Sequence, residues 1–300
     1  MTGRGLVALV AFFALMGQPA GTQPRGLKVH ISVDMEGVAG VVTGDQLGPQ
    51  GFEYERFRGF MTKEALAAVT AAQESGATEI VVADAHGNGE NLLIEQFPAG
   101  VKIVRSWPRK LGMMAGIDQT FDAAIYIGYH ASTTNPTGVR AHTFSSATLA
   151  RVALNGVEMT EGAWNAAIAG HFNVPVVMVS GDDAAIAEIR KVIGNIEGAE
   201  TKRSLGFHSA LTLTPQAALA EITAKVKAGL ARRASLPPYK PQGPLVVDVT
   251  FKNYTPAELL AFLPMFERTG AHSIRFRAKD MPEAASVMEF VDGYRPDLTP

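Results

Sequence analysis

Ile31-Ser32-Val33-Asp34-Met35-Glu36-Gly37 is the stretch from which the rest of the chain can be read. Leu27, Val29, Ile31 and Val33 alternate with Lys28, His30, Ser32 and Asp34, the period of two that marks a strand. If the backbone stays extended for two more residues, Asp34 and Glu36 project to one side, because side chains at i and i+2 share a face. Gly37 and Gly40 then permit turns away. Two neighbouring carboxylates repel unless one is protonated or a cation sits between them. Divalent metals accept such oxygens readily. A solvated strand end with two ordinary surface acids explains the stretch equally well, so it decides nothing alone.

The strands that follow repeat the arrangement. Glu79-Ile80-Val81-Val82-Ala83 is short and apolar and runs into Asp84-Ala85-His86. Phe121-Asp122-Ala123-Ala124-Ile125-Tyr126-Ile127-Gly128-Tyr129 closes on His130. Between them the spacing predicts a helix over 57–75 capped by Gly76, a helix-like stretch over 91–97 and a strand over 101–104. Such alternation predicts an α/β fold, a mostly parallel sheet with helices on both faces. In open parallel sheets, ligands collect beyond the C-terminal strand ends, where Asp34/Glu36, His86 and His130 all fall. Buried-edge histidines bonded to backbone carbonyls are the plainer alternative.

Further on, Asn155-Gly156 reads as a turn between a strand over 148–154 and Val157. Thr160 is placed to cap a helix over 161–170, with Glu161 in the first turn where the dipole favours a carboxylate. A buried strand over 174–179 ends in Ser180-Gly181-Asp182-Asp183, whose acids suit capping or support better than ligation. From about residue 194 the character changes. Thr214-Pro215 opens a long helix to about 233, and a proline-rich connector over 237–244 follows. A strand over 245–251, a helix over 255–263, a strand over 273–278 and a helix over 282–290 complete the chain. The expected division is a signal peptide over 1–21, a metal-binding catalytic α/β domain over 26–197 and a smaller C-terminal α+β domain over 198–300. The last would shape the pocket or an oligomer interface.

The 300 residues suit about two domains of ~150 each. With 47% hydrophobic and 19% charged residues, a substantial core can form. A net charge of −2 excludes a nucleic-acid footprint, and the absence of cysteine excludes disulfides and thiolate ligands. A metal must therefore be held by His, Asp and Glu. Arg4 and the apolar run over 6–16 resemble an export signal and fall short of the ~20 residues of a membrane span. Cleavage near Ala20 is expected, although Gln18 is not the small residue preferred there; an uncleaved anchor is the alternative. The expected address is periplasmic or secreted, with no stable membrane partner.

Collected, the candidates are Asp34, Glu36, His86, His130, His142 and Glu161. They suit Zn²⁺ held by N and O ligands, with enough groups for two ions sharing a carboxylate. Such a pair would polarise a carbonyl and acidify a water. His142, beyond the loop 132–138, would act as general acid or base. His30, His171, His208 and His272 take bland structural readings. No dinucleotide fingerprint, P-loop or G-x-S-x-G elbow occurs, so no nucleotide cofactor and no serine nucleophile is expected.

Ser32-Val33-Asp34-Met35-Glu36-Gly37, Asp84-Ala85-His86, Gly128-Tyr129-His130-Ala131 and Glu161 with Asn165-Ala166 closely resemble the zinc D-aminopeptidases of the DppA type, peptidase family M55. The resemblance continues through Val174-Pro175-Val176, Ser180-Gly181-Asp182-Asp183, Phe251, Asn253-Tyr254 and Ala278-Lys279-Asp280-Met281, and so covers nearly everything after the signal. It implies two zincs per subunit, with Asp34 bridging and Glu36, His86, His130 and Glu161 completing the ligands. His142 matches the family's additional catalytic histidine. The implied activity is hydrolysis of short peptides with an N-terminal D-residue such as D-alanine, in a homo-oligomeric ring for which a decamer is one expectation. Zn²⁺ over Mn²⁺ or Co²⁺ rests on this resemblance.

Departures are modest: Thr160 stands where the family often has glycine, and Ala85 and Thr143 stand in place of serines. None removes a ligand, though substrate preference could shift. The export signal differs from cytoplasmic members and points to an envelope-derived substrate. A metal-dependent hydrolase of another amide or ester, and a periplasmic binding protein with a structural metal or none, are the alternative readings.

Overall fold

The computed structural model describes residues 1–3 and 25–293, so the expected signal peptide lies, beyond its first three residues, outside the described residues. The chain runs β1 (Leu27–Val33), α1 (Tyr54–Glu74), β2 (Ala77–Asp84), β3 (Lys102–Val104), β4 (Ala123–Tyr129), β5 (Leu149–Leu154) and β6 (Val157–Glu158). It continues through α2 (Glu161–His171), β7 (Val176–Asp182), α3 (Asp183–Ile193), β8 (Glu197–Gly206), β9 (Ser209–Thr212) and α4 (Pro215–Arg232). The last part comprises β10 (Leu245–Phe251), α5 (Tyr254–Leu260), β11 (Phe266–Gly270), β12 (Ser273–Ala278) and α6 (Met281–Gly293).

Seven strands form one sheet in the order β3-β2-β1-β4-β7-β8-β9, parallel throughout except for the β8–β9 hairpin. The expected α/β class holds, with helices on both faces. On one face Val29, Ile31 and Val33 pack against Met61, Ala65 and Val69 of α1 and Ile222, Val226 and Leu230 of α4. On the other, Tyr126, Tyr129 and Val179 join Trp164 of α2, Ile189 of α3 and the inner face of a second sheet. Both faces of β1 are covered, as a parallel sheet with helices on both faces requires. His30 and Ser32 are fully buried; His30 Nε2 meets Ala115 O and Ser32 Oγ donates to Met113 O, each at 3.0 Å, while His30 Nδ1 makes no hydrogen bond.

The second sheet is antiparallel, ordered β11-β12-β10-β5-β6. Asn155 and Gly156 turn between β5 and β6 with φ of 51° and 79°, as a two-residue hairpin turn demands. Sheet membership does not follow the expected division at 197/198. β5 and β6 precede that point yet belong to the second sheet, while β8, β9 and α4 follow it yet cover or extend the first. The chain crosses between the layers after β4, after β6 and after α4, and a two-residue β6 carries no compositional mark of such a crossing.

Local signals otherwise hold well. Thr160, Asp182 and Thr214 accept from the backbone N–H three residues on, capping α2, α3 and α4, and Pro215 opens α4. The helix-like stretch over 91–97 shrinks to one tight turn, Ile94–Gln96. There Asp84 takes the backbone N–H groups of Asn91 and Leu92 at 2.6 and 2.7 Å, holding the segment against the end of β2. Among the described residues no helix is long and apolar enough to cross a membrane.

Candidate metal centre

All six predicted residues converge at the C-terminal edge of the parallel sheet. β1 stops at Val33, and the chain then folds over the end of β4, Asp34 N–H donating to Ile127 O at 2.8 Å and Gly37 N–H to Gly128 O at 2.6 Å. Asp34 and Glu36 therefore meet through a turn and not through continued extension, a correction to the sequence expectation. Glycine is required twice here. A Cβ on Gly37 would lie 2.2 Å from Tyr129 O, and one on Gly128 would lie 2.2 Å from Asp34 O. His86 follows the end of β2, and His130 the end of β4, while Glu161 opens α2. His142 comes in on a loop tied to Ala131 O by its own N–H at 3.0 Å. Glu188 of α3 anchors the preceding residues, accepting from Ser132 N–H at 3.0 Å and Asn135 Nδ2 at 3.1 Å.

The groups form two triads joined by one carboxylate. In Asp34–Glu36–His86 and in His130–His142–Glu161, ligand-type atoms lie within 4.8 Å of one another. Asp34 Oδ1 is 3.2 Å from His86 Nδ1, and its Oδ2 is 3.2 Å from His130 Nε2. Glu36 Oε2 lies 2.9 Å from His86 Nδ1, and Glu161 Oε2 lies 3.2 Å from His130 Nε2. The rings of His130 and His142 stack at 4.0 Å, and His142 Nε2 is 3.9 Å from Glu161 Oε1. That oxygen also accepts from Phe144 N–H at 2.7 Å.

Backbone carbonyls orient each imidazole. His86 Nε2 faces Leu47 O at 2.6 Å, His130 Nδ1 faces Ala131 O at 3.0 Å and His142 Nδ1 faces Arg140 O at 2.7 Å. A carbonyl only accepts, so those nitrogens carry hydrogen, and the other nitrogen of each ring faces the carboxylates. Burial disfavours charge on these histidines, but Glu36 and Asp34 beside His86, and Glu161 and Asp34 beside His130, raise both pKa values well above the ordinary range. Burial likewise opposes the charge on Glu36 and Glu161; His86 and His130 outweigh it and lower both. Burial, joined by the charge of Glu36, raises Asp34.

The donor set fits divalent zinc. Asp34 Oδ2, Glu36 Oε2 and His130 Nε2 are buried within about 3 Å of an opposing group, yet none makes a hydrogen bond. These atoms aim at common points between them, as nitrogen and oxygen ligands do around an ion. Beside the centre opens a cavity of about 470 Å³ walled by Trp107, Phe144, Trp164 and, from α6, Met288 and Glu289.

The model of peptidase family M55, the D-aminopeptidases, matches residues 27–290. The chain belongs to that family. As an M55 member it is a peptidase, and the similarity extends across whole chains. It is 33% identical over 263 residues to the D-aminopeptidase of Bacillus subtilis strain 168, covering 87% of this chain and 95% of that protein. The fold matches the solved structure of the zinc-dependent D-aminopeptidase DppA from Bacillus subtilis, described as a self-compartmentalizing protease. The TM-score is 0.86 at 32% identity, over 91% of this chain and 100% of that one.

Of the other histidines, His30 lies inside β1, His171 closes α2, and His208 and His272 sit in hairpin turns, all outside the two triads. Asp182 caps α3 and Asp183 accepts from Ser204 N–H at 2.9 Å, so neither joins the triads. Sequence reasoning missed Lys202, which is buried behind the Glu36 turn, and the contribution of α6 to the cavity. Asn165 carried a resemblance but no role. No local pattern marks Lys202, whose partners lie more than 160 positions away.

Proposed function

We propose that this chain is a two-zinc aminopeptidase that hydrolyses short peptides bearing an N-terminal D-residue such as D-alanine. The observation that carries the reading is Asp34, whose two oxygens each face a different histidine at 3.2 Å. Asp34 would bridge two ions, one held further by Glu36 and His86 and the other by His130 and Glu161. Zinc, when bound, supplies Lewis-acid polarisation of the scissile carbonyl and eases deprotonation of water.

The residues around it do the remaining work. His142, its Nδ1–H spent on Arg140 O, turns a basic Nε2 to the cavity beside Glu161. There it can take a proton from the attacking water and return it to the leaving amine. Trp164 and Phe144, packed edge to face at 5.6 Å between centroids, narrow the water-accessible space. The self-compartmentalizing description of the Bacillus relative supports assembly into a homo-oligomeric ring, and the apolar run over 6–16 supports export to the envelope.

The test is the initial rate of D-alanyl and L-alanyl dipeptide hydrolysis by zinc-loaded enzyme, each with a chelator control. D-selective, chelator-sensitive cleavage is expected. Cleavage of the L-peptide alone would overturn the substrate; cleavage of neither would move the reading to another amide or ester.

A further inference from the structure

One polar atom on the cavity wall is left unused by the chemistry above. Asn165 sits one helical turn beyond Glu161 on α2 and lines the cavity, although only 1% of its surface is exposed. Its Nδ2 donates to the Tyr129 hydroxyl at 2.8 Å and to Met113 Sδ at 3.3 Å. The bonds behind it determine which end of the amide is which. Met113 O can only accept, so Ser32 Oγ donates to it at 3.0 Å. With its one hydrogen spent, Ser32 Oγ accepts from the Tyr129 hydroxyl at 2.7 Å. The Tyr129 oxygen is then left to accept, and only the NH₂ end of Asn165 can supply that bond. Both amide hydrogens thus point into the protein. Oδ1 is the atom turned to the cavity, and no hydrogen bond reaches it from the described residues.

The charge of the cavity indicates which donor suits that acceptor. Apart from the carboxylates assigned to the metals, Glu289 and Asp292 line it, and no lysine or arginine does. A low-dielectric cleft with one sign of charge concentrates ligands of the other. An acceptor on the cavity wall that no protein group engages is open to a donor carried by the ligand. We propose that Asn165 Oδ1 accepts a hydrogen bond from the N-terminal ammonium of the substrate and thereby selects peptides with a free amino end; this rests on the aminopeptidase reading above. Because Asn165 and Glu161 share one face of α2, about 6 Å apart along the axis, the ammonium is held at a set distance from the scissile carbonyl. A neutral oxygen does so without adding negative charge beside the metal ligands.

The test compares wild type with Asn165→Ala, both zinc-loaded to equal metal content. KM and kcat are measured on a D-alanyl dipeptide, and calorimetric affinity on D-alaninamide and on propanamide, which lacks the ammonium. Asn165→Ala is expected to raise KM about ten- to hundredfold, the worth of one hydrogen bond from a charged donor, with kcat much less affected. D-alaninamide should weaken by a similar factor and propanamide should not. An unchanged KM, or equal weakening of both amides, would overturn the proposal. Should Asn165→Ala fail to fold, Tyr129→Phe removes the hydroxyl that holds the amide and should raise KM in the same sense; no rise there overturns it equally. The two readings fail separately. A wild type that cleaves no D-alanyl peptide yet prefers D-alaninamide to propanamide sinks the peptidase assignment and keeps the ammonium subsite. A wild type that turns over D-alanyl peptides, with Asn165→Ala equally active at equal KM, sinks the subsite alone.

Discussion

Lys202 donates from its buried ammonium to the backbone carbonyl of Glu36, a residue 166 positions earlier in the chain. Its other hydrogens go to Val38 O at 3.0 Å and Val41 O at 2.6 Å, so one side chain from β8 grips the whole turn that presents Glu36 to the centre. Burial lowers the Lys202 pKa to about 8, a cost of roughly 3 kcal/mol. Removing the side chain would leave the carbonyls of Glu36, Val38 and Val41 without the donor they share. Lys202→Met should therefore lower stability by on the order of 3 kcal/mol in denaturant unfolding, and should weaken zinc retention as Glu36 shifts. An unchanged midpoint with full metal content would show that the turn holds itself.

Glu64, fully buried on α1, accepts from Ala39 N–H at 2.9 Å. Burial raises its pKa from 4.5 to about 7, against the smaller opposing effects of the Ala39 N–H and Lys202. A carboxyl whose folded pKa lies above its unfolded value contributes stability below the unfolded pKa and loses it as pH rises through the folded one. For Glu64 that window runs from about 4.5 to about 7. Glu64→Gln keeps the acceptor and removes the charge. It should gain roughly 2–3 kcal/mol over wild type at pH 8 and show little difference at pH 4.5. Unfolding curves at the two pH values decide; an equal effect at both would exclude a titration origin.

Asp34 and His142 should separate metal holding from proton transfer. Asp34→Ala removes the carboxylate that joins the two triads, so zinc content and activity are expected to fall together. His142→Ala leaves Asp34, Glu36, His86, His130 and Glu161 in place; kcat should drop by about 10²–10⁴-fold, the usual worth of a general acid–base group, at nearly unchanged metal content. Metal analysis beside kinetics settles both, and full activity in His142→Ala would remove its assigned role.

Gly37 tests the turn itself. Its missing Cβ would sit 2.2 Å from Tyr129 O, a backbone atom that cannot swing aside. Gly37→Ala should cost about 3 kcal/mol or more through forced backbone movement and should displace Glu36. Wild-type stability and zinc content in that variant would contradict the packing described for the end of β4.

Much of this molecule is legible in local sequence because its causes are local. The alternation around Ile31 marks a strand, Gly76 falls beyond the end of α1 with φ of 93°, and Thr160, Asp182 and Thr214 cap helices through hydrogen bonds reaching three residues. Asp34, Glu36, His86 and His130 were also visible, since successive parallel strands must place their C-terminal ends on one edge, whereas Glu161 at a helix start and His142 on a loop follow no such rule. The sequence alone left open how Asp34 and Glu36 meet, and extension proved the wrong route. It gave no sign that β5 and β6 join the second sheet, that Lys202 grips the Glu36 turn, or that a relay from Met113 O through Ser32 and Tyr129 orients Asn165. Strand periodicity and capping act over a few residues and depend on steric and hydrogen-bonding rules that every chain obeys. Contacts across 36 to 166 positions exist only once the core has closed around them, and there burial makes each unsatisfied donor or acceptor costly enough to select one partner.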